Sequence, residues 1–284
     1  MTNKRHRAVR RNATRRRPVR SLRPDTASEQ GPTSVSGVLA PDLDGLGDAA
    51  AAVTASLASE IARVRTPLAA ELVLCQAFRV MEMGAPKDAD EQERLEARSA
   101  LLGQVIAHAE TLSTPDALAV LRVCATLGPD VTRQAAGQAA ARVAAAGVAD
   151  RPWAESLGRP HLLRAWHYGD VFGSQTSAGA LFDYRGRDHL LMVLIDHDLG
   201  GGVKDCWVAE GRRAREMRDA IAARMASDDA AFFEDIDAAG FAELLGSALA
   251  KPPCPRQVDQ VEDVATYFYL TRSRADHVAR LAGA

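Results

Sequence analysis

At 284 residues, with 47% hydrophobic and 25% charged side chains, the chain has room for one large or two small globular domains and enough apolar content for a core. Its formal charge of −2 hides an uneven distribution: ten Lys/Arg and no Asp/Glu fall within residues 1–24, leaving 25 basic against 37 acidic residues elsewhere, so a basic arm precedes an acidic body. No run approaches the roughly 18 consecutive apolar residues of a membrane-spanning helix, and no apolar stretch follows the paired arginines of the arm, so neither a membrane anchor nor a secretory leader is expected.

Cys75, Cys124, Cys206 and Cys254 are widely spaced and form no CxxC pair. This excludes the common zinc-finger and thioredoxin signatures. Three of them lie in apolar runs and read as buried, reduced thiols, the pattern of a cytoplasmic protein. Apart from Lys4, Lys87, Lys204 and Lys251, every basic residue is arginine; a bias this general gives any single arginine little weight as a signal.

In chain order, residues 1–45 are poor in large apolar side chains and rich in Arg, Ser, Pro and Gly, which predicts a disordered basic tail. Residues 46–150 read as a helical domain. An alanine-rich helix runs from Asp48 to Val64. Thr66-Pro67 is an N-cap followed by proline in the first turn, and Gly84 and Pro86 end the helix it opens. A helix follows over Asp88–Leu112, Thr114-Pro115-Asp116 starts another that Gly128-Pro129 breaks, and the last ends at Gly147. Five helices in this length predict a bundle.

Residues 151–178, with Trp153, Trp166 and several glycines, read as a junction. Residues 179–284 read as an α+β domain. Ala180–Tyr184, His189–Asp196 and Val203–Val208 predict a three-stranded antiparallel meander. The middle strand is apolar on both faces, as a covered strand requires. Helices are expected over Gly211–Met225, Phe232–Ile236, Phe241–Leu249, Val258–Leu270 and Ser273–Leu281; the last two can also be read as a helix-turn-helix, though acidic residues disfavour DNA contact there. The predicted class is therefore α+β and helix-dominated, with an N-terminal helical bundle, a small meander and C-terminal helices.

The segment Asp196-His197-Asp198-Leu199-Gly200-Gly201-Gly202-Val203-Lys204-Asp205 carries most of the chemical information. A hairpin turning at Gly200-Gly201 places Asp196 opposite Asp205, Asp198 opposite Val203 and His197 opposite Lys204. Asp196, Asp198 and Asp205 then share one face, and His197 and Lys204 the other. Facing carboxylates repel. A hard divalent cation such as Mg²⁺ or Mn²⁺ would relieve the repulsion, as would a nearby arginine or a shared proton. The competing reading is a plain turn in which Asp196 and Asp198 accept backbone amides. The triple glycine lacks the spacing and Lys-Ser/Thr ending of a phosphate loop. His161, His167 and His189 fall near the same region without metal-ligand spacing.

Three function classes follow. The favoured one is an intracellular regulatory or structural interaction protein with a protein partner. A metal-dependent hydrolase would use Asp196, Asp198 and Asp205 as ligands, with His197 or Lys204 as the accessory catalytic group. A nucleic-acid-associated protein would use residues 1–24 for non-specific phosphate contact.

Overall fold

The computed structural model describes residues 46–86, 88–252 and 261–283. The predicted basic tail and Cys254 lie outside them. Helix starts follow local cap chemistry. α1 spans Leu46–Arg63, α2 Pro67–Gly84, α3 Glu91–Leu112, α4 Pro115–Leu127 and α5 Asp130–Ala145. The Thr66 and Thr114 side chains accept the Ala69 and Ala117 amides at the starts of α2 and α4, each with proline in the first turn. Asp90 and Glu93 form a reciprocal capping box on α3, satisfying donors that the first helical turn leaves without partners. The five helices bury a common core that includes Phe78, Leu102, Leu118 and Leu121.

After a short 3-10 turn at Ala154–Ser156, four consecutive strands form a meander: β1 His161–Asp170, β2 Gln175–Asp183, β3 Asp188–Asp196 and β4 Gly202–Glu210. α6 (Arg212–Met225) then crosses the sheet to β5 (Ala231–Ile236), followed by α7 (Ala238–Leu249) and α8 (Val261–Ala282). The five strands run antiparallel in the order β4-β3-β2-β1-β5. The architecture is helix-dominated α+β, with helices preceding and following one antiparallel sheet.

The sheet is covered on both faces, which is why β3 is apolar throughout. Leu191, Val193 and Ile195 pack with Phe241, Leu245 and Val278 of α7 and α8. Leu190 and Met192 pack with Trp166, Tyr168 and Ile221 beneath α6. Trp166 fits because its β2 partner is Gly179; a Cβ there would lie 2.4 Å from the indole. Arg218 of α6 lies over the Trp166 and Phe233 rings and bonds Asp235 of β5 at 2.6 and 2.7 Å.

Three local expectations are corrected. β1 and the start of β2 occupy much of the expected junction, so the meander has four strands rather than three. Phe232–Ile236 is strand rather than helix, paired with β1 through Phe233 opposite Tyr168 and Ile236 opposite Ala165. α8 is one continuous helix through Thr271 and Arg272, so no helix-turn-helix forms. It also serves both parts of the fold: Tyr269 and Leu270 enter the bundle core, whereas Ala275 and Val278 enter the sheet core. Among the described residues, no helix is long and apolar enough to cross a membrane.

Candidate functional site

The acidic hairpin adopts a different register from the symmetric one. Leu194 pairs with Asp205, Ile195 with Val203 and Asp196 with Gly202, leaving Lys204 as the extra residue of a bulge. A bulge changes which side chains share a face. Lys204 therefore reaches Asp196 instead of sharing a face with His197: its Nζ donates to Asp196 Oδ2 at 2.6 Å, beside Gln175 Nε2 at 2.7 Å. The Leu199 amide donates to Asp196 Oδ1 at 3.1 Å, and the Gly201 amide to the Asp196 carbonyl at 2.8 Å.

Burial pushes the Asp196 carboxyl upward, but the hydrogen bonds of Lys204 and Gln175 and the lysine charge outweigh it and hold the group below its ordinary range. Asp198 is exposed at the tip. His197 lies against Thr176, Nε2 to Oγ1 at 3.0 Å. Asp205 is buried on β4. The expected grouping of Asp196, Asp198 and Asp205 around a cation is thus replaced by a lysine-neutralised turn. Among the described residues, no group of three or more His, Cys, Asp or Glu side chains is placed to hold a metal ion.

The most developed polar cluster lies elsewhere, between bundle and sheet. Glu71 of α2 and Arg274 of α8 are both fully buried. Arg274 donates to Glu71 Oε1 and Oε2 at 3.2 and 2.5 Å. The Tyr184 hydroxyl and the Gly158 amide donate to Glu71 Oε1 at 2.8 and 2.9 Å. The Arg274 guanidinium also lies over the rings of Phe182 and Tyr184, and its Nε donates to His189 Nε2 at 3.3 Å. His189 stacks on the same two rings at 5.4 Å. Burial and then the Arg274 charge drive its pKa far down, so the ring is neutral and able to accept from Arg274. Cys75 beside this pair has its pKa raised, by burial first and then by Glu71; Cys75, Cys124 and Cys206 are all buried and form no disulfide among the described residues. Nothing local in the sequence marks this cluster, because its two charges stand 203 residues apart.

Next to it opens a cleft of about 710 Å³. Thr66, the cap of α2, and Leu68 form one wall, Tyr184 and the β2–β3 turn another, and the start of α6 the third. Its charges are mixed: Arg187, Arg212 and Arg215 with Asp188, Glu210 and Glu216. Asp188 is buried and bonded to Arg215. Burial pushes the Glu210 carboxyl up, and the Arg187 charge only partly opposes it. The β2–β3 turn is tight, with Arg185 and Gly186 both at positive φ, which fixes where Arg187 leaves the strand.

No protein-family model, curated protein or solved structure matches this chain.

Proposed function

We propose that the chain is a cytoplasmic interaction protein, structural or regulatory, that holds a charged segment of a protein partner in the cleft between bundle and sheet. The lining supports this most: three arginines and three carboxylates stand around one concavity, Arg215 bonded to Asp188 and Arg212 to Glu216, the kind of mixed-charge surface that selects partners by electrostatic complementarity. Its position fits as well, because concave sites concentrate where substructures meet. Tyr184, which lines the cleft, is anchored from behind by its hydrogen bond to the buried Glu71. Cys75, Cys124 and Cys206, buried as thiols, agree with a reducing compartment.

The test is affinity capture with the full chain, with Arg187→Glu/Arg212→Glu, and with residues 1–24 removed. Both arginines are exposed, so the charge reversal should leave the fold and melting curve intact. A partner that is recovered stoichiometrically by the wild type and lost on charge reversal supports the cleft. Equal recovery by wild type and charge-reversed protein would refute it. Loss only on removal of residues 1–24 would transfer the role to the basic arm. The arm's proposed contact with nucleic acid is checked by binding at low and high salt, which a phosphate-driven interaction must feel steeply.

A further inference from the structure

A second, smaller recess of about 250 Å³ lies apart from the cleft. Arg133 of α5, Arg159 of the segment before β1 and Arg280 of α8 converge on it, with the hydroxyl-bearing Thr126 and Ser273 in its wall. Asp276 is the single acidic residue in that wall, so three positive charges face one negative charge. Arg133 is already held, by Asp130 at 2.5 Å and Asp276 at 3.3 Å. Arg159 and Arg280 have no carboxylate partner among the described residues.

The backbone carrying Arg159 is pinned. Gly158 sits at φ +65, a Cβ there would meet Thr126 at 2.8 Å, and its amide is bound by Glu71. Arg159 therefore leaves a fixed point rather than a free loop. The positive field is felt by a neighbour: His277, whose Nε2 donates to the Pro160 carbonyl at 2.9 Å, has its pKa lowered by burial first, and also by the charges of Arg280, Arg274 and Arg159. Two guanidinium groups without carboxylate partners among the described residues, on one recess beside the Ser273 hydroxyl, suit the oxygens of a tetrahedral dianion.

We propose that this recess is an anion site that takes the phosphoryl group of a small phosphomonoester, with Arg159 and Arg280 as the primary ligands and Ser273 as a hydroxyl donor. A recess of about 250 Å³ has room for a phosphoryl group and a few attached carbon atoms.

The test is calorimetric titration of the full chain at fixed ionic strength with glycerol phosphate, inorganic phosphate and a short single-stranded RNA, repeated on Arg159→Gln/Arg280→Gln. Both side chains are exposed, so the variant should melt at or slightly above the wild-type temperature when no anion is present. The expected result is saturable one-to-one binding of glycerol phosphate, tighter than inorganic phosphate and weakened roughly tenfold or more in the variant. The His277 ring resonances should shift on glycerol phosphate binding in the wild type and stay still in the variant. Equal affinity in variant and wild type, or no saturation, would overturn the site. Inorganic phosphate binding as well as the ester would overturn the phosphomonoester assignment, and binding of RNA alone would overturn it in favour of a nucleic-acid surface.

Discussion

Arg274→Met tests the joint between bundle and sheet most directly. The change removes the two hydrogen bonds to Glu71, the bond to His189 and the guanidinium stacked on Phe182 and Tyr184. Glu71 then stays fully buried with only the Tyr184 hydroxyl and Gly158 amide on its Oε1. Breaking one side of such a pair costs about 3–5 kcal/mol. At about 2–4 °C per kcal/mol for a unit this large, the melting temperature should fall by about 6–20 °C. Glu71→Gln/Arg274→Met should recover most of the loss, because a glutamine oxygen still accepts from Tyr184 and Gly158 and no charge is left without a partner. The double variant should fall within about 1–2 kcal/mol of wild type. Urea unfolding followed by circular dichroism, run as a double-mutant cycle, measures both numbers. A cost under about 1 kcal/mol for Arg274→Met, or a double variant no more stable than the single, would refute the reasoning.

Other perturbations follow from the same packing and charges. Gly179→Ala forces a methyl group into the Trp166 indole and should destabilise by about 2–3 kcal/mol, with most of that cost vanishing in a Trp166→Ala background on thermal melts. The neutral, buried His189 has a folded pKa far below its unfolded one, so stability is intact above the unfolded value and declines as pH falls below about 6.5, by up to about 1.4 kcal/mol per pH unit from this residue. His189→Phe should flatten that slope whatever its effect at neutral pH. Asp196 has the same sign, its folded pKa also being depressed, but acts in a lower pH window. Its contribution is present above about pH 4 and disappears as pH drops through the folded value, and Asp196→Asn should lose about 1–2 kcal/mol at pH 7 but little in strong acid. Mg²⁺ or Mn²⁺ should leave the melting temperature of the wild type unchanged, since Lys204 occupies the carboxylate; a rise that Asp196→Asn abolishes would restore the metal reading.

Much of the helical part of this protein was written locally. Thr66 and Thr114 announce helix starts because a cap acts on amides two or three residues away, and the β3 pattern announces a strand covered on both faces. β1 was harder, because His161, Leu163 and Arg164 stay exposed in its first half, which erases the alternation. β5 has six residues and no clean period; only its pairing with β1 distinguishes strand from helix. The apparent break in α8 at Thr271-Arg272-Ser273 closes up because Thr271, Ser273 and Arg274 are buried against the rest of the fold.

The candidate sites divide along the same line. The hairpin residues were visible, but their chemistry depended on a one-residue bulge that gives Asp196 a lysine partner instead of a second carboxylate. By itself, the sequence determined class, caps, the covered strand and the charge asymmetry, all set by interactions within a few residues or by composition. Only the tertiary structure decided the Glu71–Arg274 joint, the mixed-charge cleft and the arginine recess, because each collects side chains from segments far apart in the chain, and chain proximity carries no record of which distant charges will meet.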